Sequence, residues 1–180
     1  MSDFIEMLRK RRSIRKFTEE NVATETIGML IEALLRSPSS RGINPWEFVV
    51  VDDKELLVCL SRSKEHGSEF LGNASLAFVV CADSSKSDVW IEDCAIASII
   101  VQMAAQSLGL GSCWAQIRNR RHDGCGSAED YIRGLLDLPA HLKVESIIGI
   151  GHPAETKMAI PAKDLQFDKV KHNFYSGEKR

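Results

Sequence analysis

Apolar residues recur along this chain with two periods, near 3.6 and near 2, and the alternation between them divides it into helices and strands. Phe4, Ile5 and Leu8 give a short helix from Asp3 with one apolar face, ending near a basic run, and Ser13 to Phe17 then reads as extended. Ile27, Leu30, Ile31, Leu34 and Leu35 fall at helical spacing. Thr24 is placed to cap that helix, Glu25 suits the positive end of its dipole, and Pro38 stops it. Ser37 to Pro45 is rich in Ser, Gly, Asn and Pro and reads as a loop feeding a strand at Trp46–Val51.

A helix over Asp53–Leu60 follows, then a polar and mobile stretch from Ser61 to Gly72. Leu76–Ala82 is apolar throughout, as expected of a strand covered on both faces. Asp93–Leu108 is a helix apolar on nearly every side, ended by Gly109, and so belongs in a core or a subunit interface. A third strand, Gly111–Ile117, leads into a polar loop from Arg118 to Gly126, after which Ser127 and Asp130 form a capping box for a helix that ends before Pro139. A fourth strand, Val144–Ile150, closes at Gly151-His152-Pro153, and the tail from Ala154 to Arg180 carries apolar residues too sparse for a core of its own. This order of elements gives the α+β class, with helices around a four- or five-stranded sheet, in one domain over residues 1–180.

Charge narrows the partners. With 23 basic and 25 acidic residues the formal net charge is −2, which removes any whole-protein argument for nucleic acid or an anionic membrane, and neither is an expected partner. No export signal or membrane span is visible, and Cys59, Cys81, Cys94, Cys113 and Cys125 are scattered without a C-x-x-C pair. A reducing, cytoplasmic setting is the expectation.

Positive charge matters where it clusters. Residues 9–16 read Arg-Lys-Arg-Arg-Ser-Ile-Arg-Lys, six cations around one hydroxyl. Fork-shaped guanidinium groups bind phosphate well, yet a solvated helix end or a nucleic-acid patch has the same composition. The loop Ser37-Pro38-Ser39-Ser40-Arg41-Gly42-Ile43-Asn44-Pro45-Trp46 places donors and acceptors beside an aromatic ring, and on its own a turn explains it equally. His122-Asp123-Gly124-Cys125 falls short of a zinc site, having no second ligand pair. No G-x-S-x-G, H-E-x-x-H, P-loop or G-x-G-x-x-G motif is present.

Arg11-Arg12-Ser13-Ile14-Arg15, then Pro38-Ser39-Ser40 and Asn44-Pro45-Trp46, then Leu108-Gly109-Leu110-Gly111-Ser112-Cys113-Trp114, then Ile147-Ile148-Gly149-Ile150-Gly151-His152-Pro153 resemble, in order, the motifs of the nitroreductase family of FMN enzymes. The resemblance implies a central, mostly antiparallel sheet flanked by helices and an intertwined homodimer paired through the long helix, with residues 154–180 packing on the core or on the partner. It implies that Arg11, Arg12, Ser13 and Arg15 hold the phosphate, ribityl chain and pyrimidine edge of FMN, with Arg15 beside the ring as the group stabilising reduced flavin. Pro38, Ser39, Ser40 and Asn44 would approach from the other subunit. Trp114, Ala115 and Gln116 would lie along the flavin near N5, Gly151 would pass close to it, and Lys163, or else Lys157, would reach the phosphate. One departure is the loop amide: many members have Asn and then Gln-Pro-Trp where this chain has Gly42 and Asn44-Pro45-Trp46. The implied activity moves hydride from NADH or NADPH through flavin N5 to an electron-poor acceptor such as a nitroaromatic, quinone or flavin, with no catalytic side chain required. A non-catalytic FMN-binding or sensor protein, a dehalogenase and a flavin-fragmenting enzyme are the alternatives.

Overall fold

The structure, a computed structural model, describes residues 4–124 and 126–175; residues 1–3, among them Asp3, then Cys125 and residues 176–180 lie outside the described residues. A single antiparallel sheet organises them, with strand order β1-β2-β4-β3. β1 is Trp46–Val51, β2 Leu76–Asp83, β3 Gly111–Gln116 and β4 Leu142–Gly151. The fully apolar run of β2 is buried along its whole length because it occupies an inner position, paired with β1 on one side and β4 on the other. The sheet has four strands among the described residues, the lower of the two numbers expected.

Helices cover both faces. α2 (Thr24–Leu35) and α4 (Trp90–Ser107) pack on one face, where Leu30, Leu34, Ala97 and Val101 meet Phe78, Val80, Ile148 and Ile150. α3 (Lys54–Ser61) and α5 (Ala128–Leu135) cover the other, with Leu57, Leu60 and Ile132 against Val79, Cys81, Ala115 and Ile147. α1 (Phe4–Lys10) buries no residue in the core and precedes the basic run. Asp53 caps α3 by accepting from the Leu56 amide, and Ser127 caps α5 by accepting from Asp130 N at 3.0 Å. Thr24 does not cap α2: it is the first helical residue, and the cap position falls to Ala23, which offers no side-chain acceptor. No helix among the described residues is long and apolar enough to cross a membrane.

The stretch from Ser61 to Gly72 differs most from expectation. Its polar residues hide two apolar anchors, Phe70 and Leu71, which are buried in a 3-10 turn over Glu69–Asn73 and pack into the core under α3. Gly149 makes room for them: a Cβ there would lie 2.8 Å from both Leu71 Cδ2 and Phe70 Cε2. We expect Gly149→Ala to overpack this point and cost about 1–3 kcal/mol, read as a lowered urea midpoint with an unchanged slope.

Candidate functional site

The basic run folds as a strand-like arm laid against the end of the sheet. Ile14 N donates to Ser112 O at 3.0 Å, Thr18 N to His152 O at 2.9 Å, and Ala154 N to Lys16 O at 2.9 Å. The arm is therefore held by β3 at one point and by the chain leaving β4 at two others. Its apolar residues explain two glycines. A Cβ on Gly111 would sit 2.8 Å from Ile14 Cγ2, and one on Gly151 would sit 3.0 Å from Phe17 Cδ1. The close approach of Phe17 is by itself a reason for glycine at 151.

Extended backbone alternates its side chains, so burying Ile14 turns Ser13 and Arg15 the other way, toward Cys113 of β3. Burial pushes the Cys113 thiol up from its ordinary range, while the Arg15 charge and a hydrogen bond with Ser13 pull it the other way. Glu155 staples the arm from the far side, accepting from Arg15 N at 2.6 Å and from Lys16 N at 3.3 Å. These amide donors, with Lys157 at 3.2 Å, hold its carboxyl below the usual range. Lys157 Nζ also donates to Ser13 O at 2.7 Å, and Arg12 donates to Met158 O. The guanidinium groups of Arg11 and Arg15 make no ion pair or hydrogen bond among the described residues. A row of cations with so little internal neutralisation has the chemistry to hold an anion.

β3 is the edge strand beside this arm. Ser112 turns its carbonyl outward to Ile14, and the two-residue alternation of an antiparallel ladder then turns the Trp114 amide outward as well, with no backbone acceptor among the described residues. The edge therefore offers a donor next to the cations. On the α4 face of the strand, Trp114 Nε1 donates to Gln116 Oε1 at 3.0 Å, and Gln116 Nε2 donates to Glu145 Oε1 at 3.4 Å and Glu145 O at 3.2 Å.

Glu145 is the extra residue where Val80 pairs with Ser146 and Cys81 with Val144. The bulge carries it inward: it is 4% exposed, and its Oε2 has no partner among the described residues. Burial holds its carboxyl above the usual range.

The second group of expected residues lies elsewhere. Ser39 Oγ and Asn44 are joined in both directions, at 2.6 Å to Oδ1 and 2.9 Å from the Asn44 amide. Ser40 N donates at 2.8 Å to Asp93, which is 2% exposed in the first turn of α4. This loop, with Pro38, leads into β1, at the opposite edge of the sheet from the arm. From the rows of Leu76 and Ala82 it is also at the opposite end. The two groups are about 14 Å apart across the strands and about 20 Å along them. One chain does not bring Ser39, Ser40 and Asn44 to Arg11 and Arg15.

Ala115 is buried beneath the strand. Lys163 is exposed in a 3-10 turn over Ala162–Asp164, with no contact to the arm recorded among the described residues. Lys157, the second choice, is the tail lysine that reaches the arm. The roles of Glu155 and Glu145 were not readable from sequence; the only signal for Glu145 was an acidic residue inside an otherwise apolar strand.

A sequence model described as the Nitroreductase family matches residues 8–66 and 58–152 of this chain. The solved structure of an FMN-dependent nitroreductase from Clostridium difficile R20291 superposes with a TM-score of 0.93 and is 48% identical, covering 95% of this chain and 99% of that one. A protein of Archaeoglobus fulgidus with the provisional name NADH dehydrogenase/NAD(P)H nitroreductase is 34% identical over 168 residues, 91% of this chain and 93% of its own. An NAD(P)H FMN reductase of Bacillus subtilis is 30% identical over 182 residues, 89% of this chain and 70% of its own.

A carboxyl whose folded pKa lies above its unfolded value keeps more protons in the native state between the two values, so stability falls as pH rises through that interval. Glu145→Gln keeps the acceptor for Gln116 and removes the charge. We expect its urea midpoint to match the parent's below the ordinary glutamate range and to exceed it once the pH rises above that range. Equal midpoints on both sides of that range would show that burial does not oppose the Glu145 charge.

Proposed function

The chain belongs to the nitroreductase family, and on that premise we propose that it is an FMN-dependent oxidoreductase carrying hydride from NAD(P)H to an electron-poor acceptor, a nitroaromatic, quinone or flavin. The observation that carries this reading is the arm itself: Arg11 and Arg15 without internal partners, Ser13 between them, and the outward Trp114 amide alongside. Cations suited to a phosphate at one end and a neutral donor on a flat edge at the other fit a flavin mononucleotide.

Bound FMN supplies the hydride-accepting and hydride-donating chemistry. The chain's own residues bind and orient. Arg11 and Arg12 would hold the phosphate, with Lys157 adding positive charge from behind Ser13. Arg15, its backbone kept in place by Glu155, would set a fixed cation beside the flavin ring and so favour electron uptake. The Trp114 and Gln116 edge gives the ring a rigid wall, because the strand is paired to β4 along its length.

A second copy completes the site. Pro38, Ser39, Ser40 and Asn44 are too distant from the arm within one chain, and α4 leaves Ile96 and Ile99 exposed for a symmetric contact. The tail, with Met158, Ile160, Phe167 and Val170 exposed, lies across the partner in this reading. Free thiols at Cys59, Cys81, Cys94 and Cys113 suit a cytoplasmic setting.

The purified protein is expected to be yellow and to oxidise NADH or NADPH with a quinone or nitroarene. Arg11→Ala with Arg12→Ala should give a folded protein that has lost most of its flavin absorbance; a fully yellow double variant would contradict the phosphate role. Ile99→Glu should yield a monomer stripped of FMN, checked by sedimentation and the visible spectrum together. A monomer that keeps one FMN per chain would refute the two-chain site.

A further inference from the structure

One buried carboxylate joins two loops to the long helix. Asp93 lies in the first turn of α4. Its Oδ1 accepts from Ser40 N at 2.8 Å, and its Oδ2 accepts from Ser87 Oγ at 3.3 Å. Ser87 is itself buried and its hydroxyl receives Val89 N at 3.3 Å, so the turn before α4 closes over the carboxylate from the other side. The two segments meet twice more: Asp83 N donates to Pro45 O at 3.0 Å, and Arg41 pairs with Asp88 at 2.7 Å.

Asp93 forms no ion pair among the described residues. A buried carboxylate without a cation loses hydration that two hydrogen bonds and the positive end of the helix dipole only partly replace. Apolar side chains there would join the loops at least as firmly, but they would not fix one backbone amide, that of Ser40, at a set point relative to α4. The same helix is the element that faces a second copy in the reading above. Ile96, one turn beyond Asp93, and Ile99 stand exposed on it. One rigid body therefore carries both the contact with the second copy and the anchor of the loop offered to that copy's flavin.

We infer that Asp93 is a positioning residue that acts across the interface: through Ser40 it sets the Pro38–Asn44 loop of its own chain against the FMN held by the partner's arm. This rests on the two-chain flavoenzyme reading above. Asp93 itself touches neither flavin nor substrate. A change there weakens the partner's site and leaves the arm of its own chain intact.

The test measures FMN binding to dimers of the full chain. Asp93→Ala should stay dimeric by sedimentation and raise the FMN dissociation constant at least fivefold; any smaller rise would overturn the inference. Asp93→Asn keeps an oxygen for the Ser40 amide and should bind markedly tighter than Asp93→Ala, and a loss equal to that of Asp93→Ala would overturn the positioning role. Direction is read from mixed dimers, purified through two different tags, that join an Asp93→Ala chain to an Arg11→Ala, Arg12→Ala chain. One site then combines both defects, while the other combines the intact arm of the Asp93→Ala chain with the intact loop of its partner. One tightly bound FMN per mixed dimer is expected. None would show that Asp93 acts within its own chain or only on global stability, and would overturn the inference. If Asp93→Ala does not fold, Ser87→Ala, which removes only the second hydrogen bond, replaces it in both measurements with at least a threefold rise expected. An Arg11→Ala, Arg12→Ala homodimer that binds FMN like the parent would refute the phosphate reading itself, whatever Asp93→Ala does.

Discussion

Backbone pairing between the arm at Ser13–Thr18 and the ends of β3 and β4 is the contact on which the candidate site depends. Arginines on a free terminus would sample many directions, and the entropy of ordering each long side chain would oppose binding. Here three main-chain hydrogen bonds fix the arm's path, and Ile14 and Phe17 lock it by filling the hollows over Gly111 and Gly151. Core packing and cation placement are therefore one arrangement. The side chains that face inward decide where those facing outward must be.

The rest of the sheet extends that arrangement. β4 is the hub, contacting β2 and β3 and sending out the segment that meets the arm. Gly149 and Gly151 lie on this one strand, each admitting an aromatic side chain from elsewhere in the chain. The bulge at Glu145 breaks the two-residue alternation near the other end of the strand and brings an acid under Gln116. A strand that read as plain apolar sheet thus carries most of the local irregularity near the site.

Legibility in the sequence followed the range of the interactions. β1 and β2 were readable because alternation and continuous burial leave a local signature, and α4 because small apolar residues on all sides require cover. The Ser61–Gly72 stretch was misread because Phe70 and Leu71 show no period, and the hollow that receives them belongs to Gly149, far along the chain. The cation cluster was visible as composition, whereas its meaning needed the pairing with Ser112 and His152. Lys157 rather than Lys163 approaches Ser13 because the tail leaves β4 paired to Lys16, a register that tail composition does not encode.

In the proposed two-chain site, the loop at Ser39–Asn44 would bear on ligand affinity. Arg41, Gly42 and Asn44 all hold left-handed backbone, and Asp93 and the Ser39–Asn44 pair clamp the segment within its own chain. Its shape is set at folding, before any ligand arrives, so little of the ligand's binding energy is diverted into arranging it. Preorganisation of this kind makes capture resemble the closing of two finished surfaces, and residence time, more than encounter rate, is where changes in the loop would be felt.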